Sequence, residues 1–271
     1  AYLQEGLSLA RGIGNLERIS GLLTSLGSVS TNQGRYAQAE AYLQEGLEIA
    51  RRIEDRELIC TILIIWGACA SEQGNFAYAE KCYQEGLILA RQINHRERIA
   101  GLLSNLGDVT SEQGEYEQAN IYFQDGLQMA KKIEHREWIS LILANLGLTA
   151  RKQGNYLLAE EYLQESLALA KQIGIPQITC NILYEYGNLY LEQQQSEVAE
   201  STFREMLTLV PDGSQDLLAL AQYGLARTLA EEGKIEKVLE LGEASISILE
   251  TIGHRNAKEV KQWLVSYKAR K

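Results

Sequence analysis

Gln113–Lys132 reads QGEYEQANIYFQDGLQMAKK, and close variants stand forty residues apart: QGRYAQAEAYLQEGLEIARR (Gln33–Arg52), QGNFAYAEKCYQEGLILARQ (Gln73–Gln92) and QGNYLLAEEYLQESLALAKQ (Gln153–Gln172). A fixed period of about 20–50 residues marks a solenoid, in which each unit buries its apolar face on the next and no single closed core forms. Two prolines in 271 residues, Pro176 and Pro211, suit a chain that is almost wholly helical. The expected fold is all-α, a solenoid of antiparallel helix pairs.

The quoted stretch is the second helix of its pair, running from about Tyr116 to Ile133 with Ala119, Tyr122, Phe123, Leu127 and Ala130 facing inward. The helix before it, Arg96–Gln113, carries Ile99, Leu102, Leu103, Leu106 and Val109 at spacings of three and four, which put them on one face. Gly114 closes that helix, and the short link Ile133–Glu137 leads into the next pair; connections this short force antiparallel neighbours. Gly27, Gly67, Gly107, Gly147 and Gly187 recur inside first helices, and Gly46, Gly86 and Gly126 inside second helices. A mid-helix glycine costs about 1 kcal/mol relative to alanine. Its matched recurrence predicts contacts too close for a side chain. Ala39, Ala79, Ala119, Ala159 and Ala199 form a third small column.

Ala1–Ile13 aligns with Ala41–Ile53, so the sequence opens in mid-repeat, with Leu3, Leu7 and Leu9 expected to be exposed on the side of a missing partner. That predicts a fragment of a longer protein. Past Gly187 the pattern loosens, yet Ala219–Glu232 and Ile235–Ile252 still read as a helix pair, and Arg255–Lys268 as an amphipathic cap with Val260, Trp263 and Leu264 inward. The expected layout is one solenoid domain over residues 1–271. Residues 1–14 form a truncated repeat, 15–54, 55–94, 95–134 and 135–174 regular repeats, 175–212 and 213–253 degenerate repeats, and 254–271 the cap.

Net charge is −10, with no basic face beyond Arg51-Arg52 and the tail Lys268–Lys271, which argues against nucleic acid as a partner. Cys60, Cys69, Cys82 and Cys180 show no metal-ligand spacing and are expected as buried or half-buried free thiols in a reducing cytosol. Neither a signal peptide nor a membrane span is indicated, and the expected location is cytoplasmic. His95 and His135 share one interhelical turn position, which Asp55 fills a unit earlier, and His254 sits in the final link; no nucleophile converges on them. Gly12-Ile13-Gly14 lacks the rest of a dinucleotide fingerprint, and Gly233-Lys234 the rest of a phosphate loop. No enzyme activity, cofactor or metal is expected.

Leu103, Leu106, Gly107, Tyr116, Ala119, Phe123 and Gly126, with their equivalents in the surrounding units, resemble the small and large positions of tetratricopeptide repeats in their longer form of about forty residues. The resemblance covers nearly the whole chain and implies a right-handed α-solenoid, or superhelix. Ser30, Ala70, Thr110 and Ala150 depart from it at a position the family often fills with Tyr, and the sixth unit is weak. The wording YLQEGL…AR…I, followed by R-E-R-I and L-x-N-L-G, is similar to arrays in large bacterial signalling proteins, where the array is a sensor arm behind an ATPase switch.

The family binds partners in a concave groove lined by first helices. On the non-core face of these helices, the positions singled out here are Leu58 and Ile65; Arg98, Asn105 and Asp108; Trp138, Asn145 and Lys152; and Asn181, Glu185 and Asn188. Asn105 and Asn145 share one repeat position, where an amide offers both a donor and an acceptor to the backbone of an extended peptide. The opposing reading has these amides holding neighbouring helices together. Trp138 reads equally as an exposed anchor or an interhelix wedge. The expected function is a protein- or peptide-binding scaffold, the ligand-sensing or partner-recruiting region of a larger bacterial signalling protein. The alternative is a structural module that self-associates end to end through its N-terminal half-repeat, or serves as a spacer. No membrane partner is expected.

Overall fold

The structure is a computed structural model describing residues 2–254 and 256–270; Ala1, Arg255 and Lys271, parts of the expected opening half-repeat and cap, lie outside the described residues. Two compact units comprise Ala1–His135 and Arg136–Lys271. The described residues form fourteen α-helices and no strand. In the first unit these are α1 (Tyr2–Gly12), α2 (Leu16–Asn32), α3 (Tyr36–Arg52), α4 (Arg56–Glu72), α5 (Phe76–Gln92), α6 (Arg96–Glu112) and α7 (Tyr116–Lys132). The second contains α8 (Arg136–Lys152), α9 (Tyr156–Ile173), α10 (Pro176–Glu192), α11 (Ser196–Leu209), α12 (Gln215–Glu231), α13 (Ile235–Thr251) and α14 (Ala257–Ala269). The architecture is an all-α solenoid of stacked helix pairs.

Two kinds of turn alternate, each with its own chemistry. Within a pair, Gly34, Gly74, Gly114 and Gly154 take positive φ, and Gln194 does the same without glycine's freedom. Between pairs the left-handed position is held by Glu54, Asn94 and Glu134, flanked by Gly14 and Gly174 at the same place in the period. The next residue caps the following helix: Asn15 and Asp55 accept the backbone N–H of Arg18 and Leu58, each at 3.0 Å, and His95 Nδ1 accepts that of Arg98 at 3.4 Å. The His95 position is therefore a helix cap, the role that asparagine and aspartate fill best.

The first-helix glycines behave as expected. A Cβ at Gly27, Gly67, Gly107, Gly147 or Gly187 would lie 2.4–2.8 Å from Leu43, Tyr83, Phe123, Leu163 or Phe203 respectively, so each second helix plants one large side chain on the bare backbone of the first. The second-helix glycines are different. At Gly46 the nearest atom to an added Cβ is Leu23 Cβ at 3.5 Å, an ordinary contact, and at Gly86 it is Leu102 Cδ2 at 3.2 Å. What recurs at this column is a hydrogen bond to its carbonyl: Ser20 Oγ donates to Gly46 O (2.7 Å), Cys60 Sγ to Gly86 O (3.5 Å), Ser140 Oγ to Ser166 O (3.1 Å) and Cys180 Sγ to Met206 O (3.8 Å). Cys60 and Cys180 thus stand in for serine as buried donors. All four cysteines are buried free thiols.

Three details depart from expectation. Leu7 is buried and Leu3 half-buried against Ile19, Leu23 and Leu26, because α1 turns that face to α2; Leu9 is exposed, as are Tyr2 and Ile13. Helix α12 begins at Gln215, not Ala219, directly after a turn in which Gly213 has φ 86° and Ser214 N–H donates to Pro211 O. Helix α14 begins at Ala257, with Val260 and Leu264 buried and Trp263 half-buried as expected.

Candidate functional site

The face opposite the packed side of the first helices carries the candidate positions. In the first unit α2 packs beside α4, and in the second α10 packs beside both α8 and α12, so first helices are neighbours within each unit. Every candidate position falls on one of these helices because the period of forty holds from α4 to α10.

In the first unit Leu58, Ile65, Arg98, Asn105 and Asp108 are all half-buried. Leu58 and Ile65 rest on the cluster of Ile59, Ile62 and Leu63. Arg98 Nη1 donates to Glu57 O at 2.7 Å and to Thr61 Oγ1 at 2.8 Å, and so ties α6 to α4. Asn105, about two turns further along α6, makes no side-chain hydrogen bond among the described residues.

In the second unit Trp138, Asn145 and Lys152 are half-buried on α8, and Asn181 is exposed on α10. Glu185 accepts from Arg151 Nη2 at 3.0 Å, and Arg151 also pairs with Glu192. Burial raises the Glu185 carboxyl above its ordinary value, and the adjacent guanidinium of Arg151 opposes that shift. Asn188 is buried, and its Oδ1 accepts from Arg227 Nη1 at 2.7 Å while the guanidinium carbon lies 5.4 Å from the Tyr223 ring centroid. Arg98, Glu185 and Asn188 are thus engaged within the fold.

Sequence reasoning missed Arg151 and Arg227. Arg227 was hidden by register: α12 begins 39 residues after α10, from Pro176 to Gln215, so a strict count of forty passes over it. Arg151 lay one position short of the stripe as drawn, and only its reach to Glu185 identifies it.

The chemistry of catalysis is thinly represented. Burial pushes the Cys82 and Cys180 thiols up to about 11 and raises Cys60 and Cys69, so all four are held protonated at neutral pH. No group of three or more His, Cys, Asp or Glu residues is placed to hold a metal ion among the described residues. No described helix is long and apolar enough to cross a membrane.

Stacked helix pairs with one constant and one variable face define a helical-repeat protein. The family model described as Tetratricopeptide repeat matches residues 18–92, 58–132 and 138–212, well over half of the chain. The chain belongs to the tetratricopeptide-repeat family. Sequence comparison with curated proteins finds no match. Among solved structures, one similar fold is a signal transduction ATPase with numerous domains (STAND) with a tetratricopeptide repeat sensor, PH0952, from Pyrococcus horikoshii. It has a TM-score of 0.68 and 20% identity, over 95% of this chain and 40% of that one. The chain therefore spans well under half of that protein. A Rap protein complexed with Competence and Sporulation Factor matches with a TM-score of 0.69 at 13% identity, over 94% of this chain and 75% of that one. NprR in complex with its cognate peptide NprX matches with a TM-score of 0.68 at 14% identity, over 93% and 73%. At these identities the likeness is one of fold.

Proposed function

We propose that this chain is a protein-interaction scaffold that takes an extended peptide on the variable face of its first helices. The observation that carries the reading is Asn105, a half-buried amide in mid-helix with no side-chain hydrogen bond among the described residues. Asparagine is a poor mid-helix residue, and an amide that makes no bond within the fold leaves its donor and acceptor open to a partner's backbone. Leu58 and Ile65 would supply the apolar seat and Asp108, Trp138, Lys152 and Asn181 the selectivity. Arg98, Glu185 and Asn188 would act as struts that hold the face in shape. Two structural relatives, the Rap protein and NprR, were solved with Competence and Sporulation Factor and with the peptide NprX, which fits this reading.

The wider context belongs to the same proposal. The repeats would form one array over residues 1–271, with 175–212 and 213–253 as degenerate repeats and 254–271 as the cap. The array would serve as the sensing or recruiting region of a larger bacterial signalling protein, in keeping with its likeness to the repeat sensor of the STAND protein. A net charge of −10 disfavours nucleic acid, and four buried free thiols suit a cytoplasmic setting.

The test is selection of linear peptides from a random display library on the purified protein, followed by hydrogen-exchange footprinting of the best binder. Protection on the first helices, α4 and α6 of the first unit or α8 and α10 of the second, supports the reading; protection confined to second helices refutes it. A second reading, end-to-end self-association, draws on the exposed Tyr2, Leu9 and Ile13 of α1. Sedimentation over a concentration series separates the two, because a strict monomer removes self-association.

A further inference from the structure

In α4 and α5 the repeat departs from its pattern on the side away from the candidate groove. The second-helix column that holds Tyr42, Tyr122 and Tyr162 holds Cys82 in α5 and Thr202 in α11. In the neighbouring units that tyrosine is half-buried in the packing between helices: Tyr42 lies against the cluster that includes Leu23 and Leu26, and Tyr122 against the cluster that includes Leu103 and Leu106. Cysteine has no ring to place there. The structure has a cavity of about 290 Å³ at this position, between α3 and α5 and above α4.

Two further exceptions to the repeat line the same cavity. Trp66 stands where α2, α6 and α8 have Leu26, Leu106 and Leu146 and α10 has Tyr186, and Tyr78 where the other second helices have Gln38, Gln118, Leu158 and Val198. Their rings meet edge to face, 5.7 Å between centroids and 65° between planes. Leu47, Leu63 and the buried Cys82 sulfur complete the apolar lining. Three coincident departures replace a plug with a hollow walled by aromatic edges and faces, the surroundings that another ring prefers.

The rim says which kind of ring. Arg51 is paired with Glu85 at 2.6 Å, and the remaining rim charges, Lys81 and Glu48, are one of each sign. The rim therefore sums to zero and selects no ionic group. An apolar cavity of roughly 150 Å³ is known to hold benzene. A space of about 290 Å³ admits one or two fused rings.

We propose that this cavity is a binding site for a free, neutral, planar aromatic molecule of about indole size, independent of any peptide on the first-helix face. The test uses the whole chain, with indole as probe, read by calorimetry and by saturation-transfer NMR. Wild-type protein is expected to bind indole saturably. Cys82→Tyr restores the residue that three other units accommodate, so its melting transition should persist, while its affinity for indole falls by about tenfold or more as the cavity is filled. Cys82→Ala should retain binding, which separates loss of space from loss of the thiol. Absence of saturable binding to wild type, or equal binding to Cys82→Tyr, overturns the proposal. N-acetyltryptophanamide supplies the same ring attached to a peptide backbone. If it binds more tightly than indole and is lost equally in Cys82→Tyr, the assignment to a free ligand is overturned in favour of a partner's side chain.

Discussion

At the scale of single residues, two glycine columns that look alike in sequence do different work. Adding a methyl group at Gly107 puts it 2.5 Å from the Phe123 ring, whereas at Gly46 it meets nothing nearer than 3.5 Å. Gly107→Ala should therefore destabilise the protein by about 1–3 kcal/mol through overpacking. Gly46→Ala should stabilise it by up to about 1 kcal/mol through helix propensity. Denaturant unfolding of the two variants checks both signs, and equal effects would contradict the assignment. Glu185 gives a pH-dependent prediction. Its carboxyl is raised above the ordinary 4.5 by burial, despite Arg151, so the folded state holds that proton more tightly than the unfolded state. Its contribution to stability is then greatest in acid and declines as pH rises from about 4.5 through the raised value. The stability of Glu185→Gln relative to wild type should accordingly climb from pH 4.5 toward neutrality; a flat difference would count against the shift.

At the scale of elements, turns decide where helices end, and they mark the limit of what the sequence disclosed. The Gln-Gly turn was legible because glycine tolerates positive φ. Glu54, Asn94 and Glu134 adopt it as well; asparagine is a type that tolerates this conformation, but nothing in the two glutamates announces it. Gln194 takes φ 60° where the other units have glycine. Gln194→Gly should relieve that strain and raise stability by roughly 0.5–1 kcal/mol, since a left-handed conformation costs a non-glycine residue about 1–2 kcal/mol and glycine's chain entropy returns part of it. Thermal unfolding tests this, and a destabilised variant would show that local hydrogen bonds of Gln194 outweigh the strain. The early start of α12 escaped notice for a related reason. A turn of Pro211 to Ser214 shortens the period by one residue, and every later position counted at forty lands off its column.

At the scale of the whole molecule, the forty-residue recurrence identified the helical-repeat class and the family, because packing columns must repeat for pairs to stack. The candidate site was legible only as a stripe. Periodicity locates Arg98, Asn105, Glu185 and Asn188 on the variable face, but it cannot say which are engaged by neighbours, since that depends on side chains one repeat away. Arg98 reaches α4, and Asn188 receives Arg227, whereas Asn105 stays without a hydrogen-bond partner among the described residues. The central claim, that an extended peptide occupies this face, is tested most directly at the shared asparagine position. Affinity for a peptide selected on the wild-type protein should be measured by calorimetry against Asn105→Ala combined with Asn145→Ala, with circular dichroism confirming the fold. Loss of hydrogen bonds to a buried peptide backbone predicts weakening by about 1–3 kcal/mol, roughly tenfold to a hundredfold. Unchanged affinity in a folded double variant would contradict the account.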